Sequence, residues 1–262
     1  MTVYFSDSFV FYNASTMNIA IIGYGKMGKE VEAIALERKH QVSLKVDIDT
    51  IDDFSSASLK NIDVAIEFTR PEAVYKNVLT CFEAGVPVVT GTTGWDSGCE
   101  EIKKICIAGR NAFFHSPNFS LGVNIFFRLN NYLAEIMNQF SQYDVQITEV
   151  HHNQKLDAPS GTAIKLAEDL LQRIDRKKSW QLNGADTTEK LNITAERRDS
   201  VPGIHTITYD SDVDFLQITH SAKNRRGFAL GAVIAAEFIK GKTGVFTMDD
   251  LLDIRNNKSD LV

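Results

Sequence analysis

Short apolar runs alternate with amphipathic stretches along the first half of the chain. Each run contains few polar residues, which is typical of strands buried on both faces of a parallel sheet. The runs are 18–22, 42–46, 63–68, 86–90 and 112–115, and helical patterns separate them, the clearest at 72–84 and 96–108. Strands that alternate with helices in this way predict an α/β fold with a Rossmann-type, doubly wound parallel sheet.

The pattern changes after residue 120. A helix predicted over 121–139 precedes a strand at 145–150, a loop at 151–159 and a helix at 161–174. A polar stretch, 175–189, is expected to contain a mobile loop. Polar and apolar residues then alternate in segments at 191–195, 205–209 and 214–220, followed by helices at 229–240 and 246–252. Such alternation is typical of a sheet with one exposed or partner-covered face, so we expect a second α+β domain with a mixed or open sheet.

These changes divide the chain into three predicted parts. Residues 1–16 contain five aromatic side chains but no Lys or Arg, so they lack the positive start of a secretory signal. We expect them to be an extension outside the fold. Residues 17–120, completed by 224–262, are predicted to form a dinucleotide-binding domain. Residues 121–223 are predicted to form a domain for substrate binding and oligomerisation.

Composition narrows the class of protein. The 262 residues have a net charge of −6, which gives no general electrostatic reason to bind nucleic acid or an anionic membrane. No apolar run approaches the roughly 20 residues needed to cross a bilayer. Three irregularly spaced cysteines, Cys81, Cys99 and Cys106, do not suit a disulfide framework or a zinc site. They indicate reduced thiols in a cytoplasmic protein.

A glycine motif follows the first predicted strand. The residues Gly23-x-Gly25-x-x-Gly28 lie between that strand and a helix, which is the context of a dinucleotide-binding fingerprint. There the pyrophosphate lies against the backbone at the start of the helix. Asp47 ends the next strand, where a carboxylate can accept hydrogen bonds from the adenosine ribose.

Asp47 also bears on the choice of cofactor. A carboxylate at this position would repel a 2′-phosphate, and neither Ile48 nor Asp49 can neutralise one. We therefore predict that NADH is preferred. Lys26 and Lys45 are near enough in sequence to leave NADPH possible.

The segment 149–163 concentrates polar groups of three kinds. His151 and His152 end a predicted strand, and histidine exchanges a proton near neutral pH. Lys155 supplies a compact cation. Ser160 is placed to cap a helix whose first N–H groups, those of Gly161 and Thr162, would form an anion site. The segment therefore predicts acid–base chemistry on an anionic substrate.

Two other chemistries do not fit this segment. A serine hydrolase would need a Gly-x-Ser-x-Gly turn between a strand and a helix, and Ser160 lacks it. Adjacent residues on a strand point to opposite faces, so His151 and His152 would not converge on a metal ion. We therefore predict no metal site.

The segment 149–163 resembles the signature of the dihydrodipicolinate reductase family, approximately E-x-H-H-x-x-K-x-D-A-P-S-G-T-A. The resemblance covers essentially the whole chain from Met17. It extends to the glycine motif and to four other segments: 68–71, 91–94, 118–124 and 203–206.

The resemblance implies a reductase that transfers a hydride from NAD(P)H to a small, unsaturated cyclic dicarboxylate, in a homotetramer built through the second domain's sheet. His151 would be the acid that protonates the resulting enamine, and Lys155 a second proton donor. The substrate carboxylates would be bound by His152, Ser160, Gly161 and Thr162. The cofactor would be bound at its pyrophosphate by Gly23, Gly25, Lys26, Met27 and Gly28, at its ribose by Asp47, and at its nicotinamide end by Gly91, Thr92, Thr93, Ser116, Pro117, Asn118 and Phe119.

The sequence departs from the family pattern in three places. The nucleotide loop is one residue shorter than G-x-x-G-x-M-G, Ile204 replaces the usual Glu before His205, and the segment between Asp47 and Phe68 is short. Two alternatives stay open at this point. One is another two-domain dehydrogenase of amino-acid or sugar metabolism, and the other is a non-catalytic nucleotide-sensing module.

Overall fold

The first compact unit contains a six-stranded parallel sheet. A computed structural model of the protein describes residues 15–184, 187–224 and 226–252, without the side chains of 51–53. The strands are β1 (Asn18–Ile22), β2 (Gln41–Val46), β3 (Val64–Glu67), β4 (Val88–Thr90), β5 (Ala112–His115) and β11 (Gly244–Phe246), in the order β11-β5-β4-β3-β1-β2. Every residue of β3 and β4 is buried, as continuous apolar runs predict. The doubly wound α/β fold is confirmed.

The helices α1 (Lys26–Glu37), α2 (Pro71–Glu83) and α3 (Asp96–Ala108) connect strands of this sheet. Helix α6 (Arg226–Ile239) precedes β11 and belongs to this unit from Ala232, and α7 (Met248–Leu251) follows β11. Pro71 opens α2, where its fixed φ suits the first turn and its missing N–H costs nothing. Within the described residues, every helix is too short or too polar to span a membrane.

The second compact unit contains a five-stranded mixed sheet. Its strands are β6 (Asp144–His151), β7 (Ser179–Leu182), β8 (Lys190–Arg197), β9 (Ile204–Asp210) and β10 (Phe215–Ser221), in the order β10-β9-β6-β8-β7. The central strand β6 runs parallel to β8 and antiparallel to β9. Two helices, α4 (Leu121–Met137) and α5 (Gly161–Leu171), share an apolar core with the sheet.

The structure differs from the sequence-based elements in two places. Strand β7 lies inside the stretch that was expected to contain a mobile loop and for which no strand was predicted. Lys177 is buried there, and its Nζ donates to the carbonyls of Thr187 and Lys190 at 2.8 and 3.1 Å. This anchor holds a short, half-buried segment against β8. Strand β11 includes Phe246, which was predicted to lie in the last helix. The strand was not predicted because three residues are too few to show a strand pattern.

The compact units divide the described chain close to the predicted domain boundaries. Residues up to Pro117 and from Ala232 form the first unit, and Asn118–Gly231 the second. The prediction had assigned 118–120 and 224–231 to the dinucleotide domain. Asn118 instead forms a local turn with the start of α4, accepting from the Ser120 N–H at 2.9 Å. The predicted extension lies outside the described residues except for Ser15 and Thr16.

Candidate functional site

The glycine motif forms the turn between β1 and α1. Gly23 has φ +92°, and a Cβ there would lie 2.1 Å from the Phe68 carbonyl oxygen. A Cβ on Gly28 would lie 2.4 Å from the Gly23 oxygen, so this glycine lets the helix pack closely on the strand. A Cβ on Gly25, which caps α1, would meet open space. Of the three glycines in the motif, Gly25 alone has free space around its Cα, and it stands at the helix start, where a pyrophosphate would need to approach the backbone.

Asp47 follows β2 and its side chain is exposed. Its Oδ1 accepts the Ile48 N–H at 2.9 Å, which holds the carboxylate at the strand end. Nearby Lys45 binds Glu32 at 2.5 Å and lies 4.9 Å above the Tyr24 ring. This lysine is therefore already paired with a carboxylate.

The residues predicted to hold the nicotinamide end differ in exposure. Thr92 is buried, and its hydroxyl donates to Glu67 at 2.8 Å, whereas Thr93 is exposed. Ser116 and Phe119 are buried, Pro117 is exposed and Asn118 is half-buried. The Thr92 hydroxyl thus ties its loop to the buried Glu67, whereas the Thr93 side chain lies at the surface.

Glu149 is the centre of a buried polar cluster in the second unit. It is 0% exposed, and its two oxygens each accept the Ser160 N–H at 3.1 Å. Its Oε2 lies 3.4 Å from His151 Nδ1 and 3.7 Å from His205 Nε2. Its Oε1 lies 3.5 Å from the Arg197 guanidinium. Burial alone would raise the pKa of Glu149, but contacts with His205 and Ser160 hold it at about 2.

His151 is the last residue of β6 and is almost fully buried. Its ring lies edge-on to that of His205, with centroids 5.1 Å apart. Burial lowers the pKa of His151 to about 4, although the Glu149 carboxylate acts in the opposite direction. The imidazole is therefore neutral at pH 7 in this structure. Gly203 allows this packing, because a Cβ there would lie 3.1 Å from His151 Nε2.

The loop after β6 carries the predicted lysine. Lys155 Nζ contacts both oxygens of Asp157 at 2.8 Å. Arg197 donates to the Asp157 carbonyl at 2.6 Å, so the same guanidinium that approaches Glu149 also holds this loop. His152 is half-buried and lies just beyond the strand.

Helix α5 begins beside the cluster. Ser160 is buried, and its hydroxyl accepts the Ala163 N–H at 3.2 Å as a helix cap and contacts His205 Nε2 at 3.1 Å. Gly161 is exposed, Thr162 is half-buried, and a Cβ on Gly161 would meet open space. The N–H groups of Gly161 and Thr162 have no intrahelical acceptor, so they point outward as anion donors. Ser160 therefore forms the predicted cap, and the anion site at Gly161 and Thr162 stays a prediction.

Two family models match most of this chain. Dihydrodipicolinate reductase, N-terminus, matches residues 17–119, and dihydrodipicolinate reductase, C-terminus, matches 122–252. The chain belongs to the dihydrodipicolinate reductase family. It is therefore an oxidoreductase that uses a nicotinamide cofactor, and the function predicted from its signature is confirmed at the level of the family.

Named relatives agree with the family models. The chain is 50% identical over 238 residues to 4-hydroxy-tetrahydrodipicolinate reductase of Christiangramia forsetii, which covers 90% of this chain and 98% of the relative. It is 35% identical to the enzyme of Neisseria gonorrhoeae over 86% of this chain and 85% of that one. A dipicolinate-bound dihydrodipicolinate reductase from Paenisporosarcina has the same fold, with a TM-score of 0.70 at 21% identity, over 89% and 98% of the two chains.

The site residues predicted from the sequence include two members of this cluster, His151 and Ser160, but not Glu149, His205 or Arg197. Glu149 opens the signature, yet its burial could be recognised only once its strand was known to be central. Arg197 lies far from the signature in sequence, and nothing in its local pattern indicated a role. Strand register accounts for these contacts, because β8 places Arg197 directly beside His151, and β9 places His205 beside Glu149.

The cluster also bears on metal binding. Ligand-type atoms of Glu149, His151 and His205 lie within 4.8 Å of one another, the one such group among the described residues. This set differs from the pair of adjacent histidines considered from the sequence. The Ser160 N–H occupies part of the acceptor capacity of Glu149, and the predicted absence of a metal site stays a prediction.

Proposed function

We propose that this chain reduces 4-hydroxy-tetrahydrodipicolinate to tetrahydrodipicolinate in the diaminopimelate route to lysine, with loss of the 4-hydroxyl group as water and with NADH as its preferred cofactor. The named relatives support the substrate. The observation that carries the proposal is the placement of an ionisable histidine, His151, in the same buried cluster that holds the start of α5. A proton donor and an anion-binding helix start are what reduction of a dicarboxylate requires.

The residues of the first unit fit a dinucleotide. The open position at Gly25, the start of α1 and the exposed Asp47 suit the pyrophosphate and ribose, with Lys26 and Met27 in the first turn. The nicotinamide, when bound, supplies the hydride. Gly91 to Thr93 and Ser116 to Phe119 are proposed to hold its ring.

Binding of the substrate is proposed to occur at the start of α5. The Gly161 and Thr162 N–H groups would donate to one carboxylate, where the helix dipole adds positive potential. His152 would contribute a further donor. Ser160 supports this site by capping α5 and fixing its first turn to Glu149.

Proton delivery is assigned to His151. Its neutral state at pH 7 means that it must gain a proton before it can donate one. A dianionic substrate beside it would favour the charged imidazole and raise its pKa, because an opposite charge within a few ångströms stabilises the charged form. Lys155 is proposed to stabilise or protonate the substrate after it exchanges Asp157 for a substrate carboxylate.

The preference for NADH rests on charge. A 2′-phosphate would meet the Asp47 carboxylate, and the nearby Lys45 is already paired with Glu32. NADPH remains usable in this proposal because Lys26 is exposed on the first turn of α1.

A homotetramer and a cytoplasmic location are also proposed. The edge strand β10 exposes Phe215 and Leu216, 64% and 41% of their surfaces, which suits contact with another subunit. All three cysteines are free and buried, as expected in a reducing compartment. Light scattering would test the tetramer.

A spectrophotometric assay tests the reaction. Purified protein, NADH and freshly generated substrate should give loss of nicotinamide absorbance, and omission of either small molecule should abolish it. The same protein should show no comparable oxidation of NADH with 2-oxo acids or sugars. Absence of turnover with the dicarboxylate, in protein shown to bind NADH, would contradict the proposed function.

A further inference from the structure

Glu67 is a second fully buried carboxylate, and it lies in the first unit at the end of β3. Its Oε1 accepts the Thr69 N–H at 3.1 Å and the Thr69 hydroxyl. Its Oε2 accepts the hydroxyls of Thr90 at 2.5 Å and Thr92 at 2.8 Å. Four donors match the four acceptor positions of an ionised carboxylate.

The direction of these bonds follows from what each hydroxyl receives. Asn77 donates to the Thr69 hydroxyl at 3.3 Å, and the Thr69 N–H is shared with the Thr92 hydroxyl at 3.0 Å. The Thr92 N–H donates to the Thr90 hydroxyl at 3.3 Å. Each hydroxyl accepts one bond and directs its own proton to Glu67. Chains of this kind polarise one another, which strengthens each bond.

The network joins two segments that follow neighbouring parallel strands. Thr69 belongs to the turn after β3, and Thr92 belongs to the loop after β4. Phe68 packs in the same place, because a Cβ on Gly91 would lie 2.1 Å from its ring and a Cβ on Gly23 would lie 2.1 Å from its carbonyl oxygen. Three loops at the carboxyl edge of the sheet are thereby fixed to one another.

This arrangement is costly for a purely structural feature. A buried charge is usually paired with an opposite charge, and no Lys or Arg in the described part of the chain forms an ion pair with Glu67. Uncharged residues of similar shape could pack β3 against β4 at less cost. The carboxylate does what they cannot, since it gathers donors from two loops at the edge where open α/β sheets bind ligands.

We propose that Glu67 is a positioning residue for the cofactor. It fixes the Thr69 turn and the loop from Gly91 to Thr93 in the form that receives the nicotinamide end. This inference rests on the proposed role of that loop in cofactor binding. It predicts that losing Glu67 weakens binding of the nicotinamide half and leaves the adenosine half, held by the glycine motif and Asp47, almost unchanged.

The test compares two ligands on the intact protein. NADH binding is followed by nicotinamide fluorescence, and ADP-ribose, which lacks the nicotinamide, by calorimetry. Glu67→Gln places an amide donor against hydroxyl donors and should raise the Kd for NADH about tenfold, near the lower end of what one lost charge-assisted bond costs. The Kd for ADP-ribose should change by less than about twofold, which corresponds to a small fraction of the free energy of such a bond.

Thr92→Val removes one donor and leaves Glu67 in place, so it tests the proposal if Glu67→Gln does not fold. It should weaken NADH binding about fivefold, less than Glu67→Gln because three donors remain. Thr80→Val is the matched control, because the Thr80 hydroxyl donates to the Lys76 carbonyl of its own helix, and neither Kd should change.

Two results would overturn the proposal. One is unchanged NADH binding in both test variants, and the other is an equal loss of NADH and ADP-ribose binding, which would make Glu67 part of the general framework. Neither measurement uses the dicarboxylate. If the wild-type protein does not turn over the dicarboxylate but Glu67→Gln shows the selective loss of NADH binding, the proposed reaction is refuted and the role of Glu67 stands.

Discussion

Each unit buries one carboxylate completely near the carboxyl end of a strand, and the two carboxylates have different neighbours. Glu67 accepts bonds from threonine hydroxyls and a backbone N–H, which do not change charge near neutral pH. Glu149 lies beside two imidazoles and a guanidinium, and an imidazole is a group that can take up and release a proton. The first network is suited to holding loops in place, and the second to supplying a proton.

Strand direction accounts for this difference. Parallel strands end at the same edge, so Glu67 pairs in register with Thr90 and meets residues that also follow strand ends. In the mixed sheet, β9 is antiparallel to β6, so Glu149 pairs with His205 from the start of its strand. A mixed sheet can therefore bring together ionisable groups that are far apart in sequence.

The largest expected effect is on the protonation step, through His151. General acid catalysis contributes about 10²- to 10⁴-fold, so His151→Gln should lower kcat on that scale while the Kd for NADH stays near the wild-type value. This is the reverse of the result expected for Glu67→Gln. Steady-state rates and fluorescence titration measure the two quantities.

His220→Gln is the matched control for that substitution, since it makes the same change on β10 in the same sheet. A loss in His151→Gln of less than about threefold, against the 10²-fold lower limit for an acid, would remove His151 from this role. His152 would then be the next candidate.

The next effect concerns the start of α5. Thr162→Val keeps the side-chain shape and removes a hydroxyl donor from a bound carboxylate. Charge-assisted bonds contribute about 1.5–3 kcal/mol, so KM for the substrate should rise by about 10- to 150-fold. KM for NADH should hardly change, because none of the residues proposed to bind it belongs to the turn at the start of α5.

Thr219→Val provides the comparison, as its hydroxyl contacts only Thr206 on an exposed part of the sheet. An effect of Thr162→Val confined to KM for NADH would place this turn in the cofactor site. The assignment of substrate binding to the start of α5 would then be wrong.

A smaller effect is expected at Asp47. The wild-type protein should have a kcat/KM several times higher with NADH than with NADPH, and Asp47→Ala should shift this ratio toward NADPH by removing the repulsion of the 2′-phosphate. Asp49→Ala is the control, since it deletes an acidic residue two positions later. A clear preference of the wild-type protein for NADPH would contradict this interpretation of the site.

The sequence predicted the parallel unit more completely than the mixed one. Strands such as β3 are continuous apolar runs, and the glycine motif carries its own backbone geometry, so both could be recognised locally. Strand β7 could not, because its position depends on Lys177 and carbonyl groups beyond it in the chain. Arg197 and the partnership of Glu149 with His205 depend on strand register, which no local pattern records.

Acid titration tests the Glu149 cluster through its effect on stability. The pKa of His151 is about 4 in the folded protein, against an ordinary value of 6.5. Between these values the unfolded chain binds a proton that the folded protein does not. The free energy of unfolding therefore falls as pH falls from 6.5 toward 4, by at most about 1.4 kcal/mol per pH unit for one group.

Glu149 extends this loss to lower pH. Its pKa is about 2 in the folded protein, below the ordinary 4.5, so its contribution is present above pH 4.5 and is lost as pH falls toward 2. Urea unfolding of wild type and His151→Gln at several pH values separates the two groups. The variant should lose less stability than wild type between pH 6.5 and 4.5, while the difference between them stays constant from pH 7 to 8. Equal losses in the upper window would mean that burial does not lower the pKa of His151.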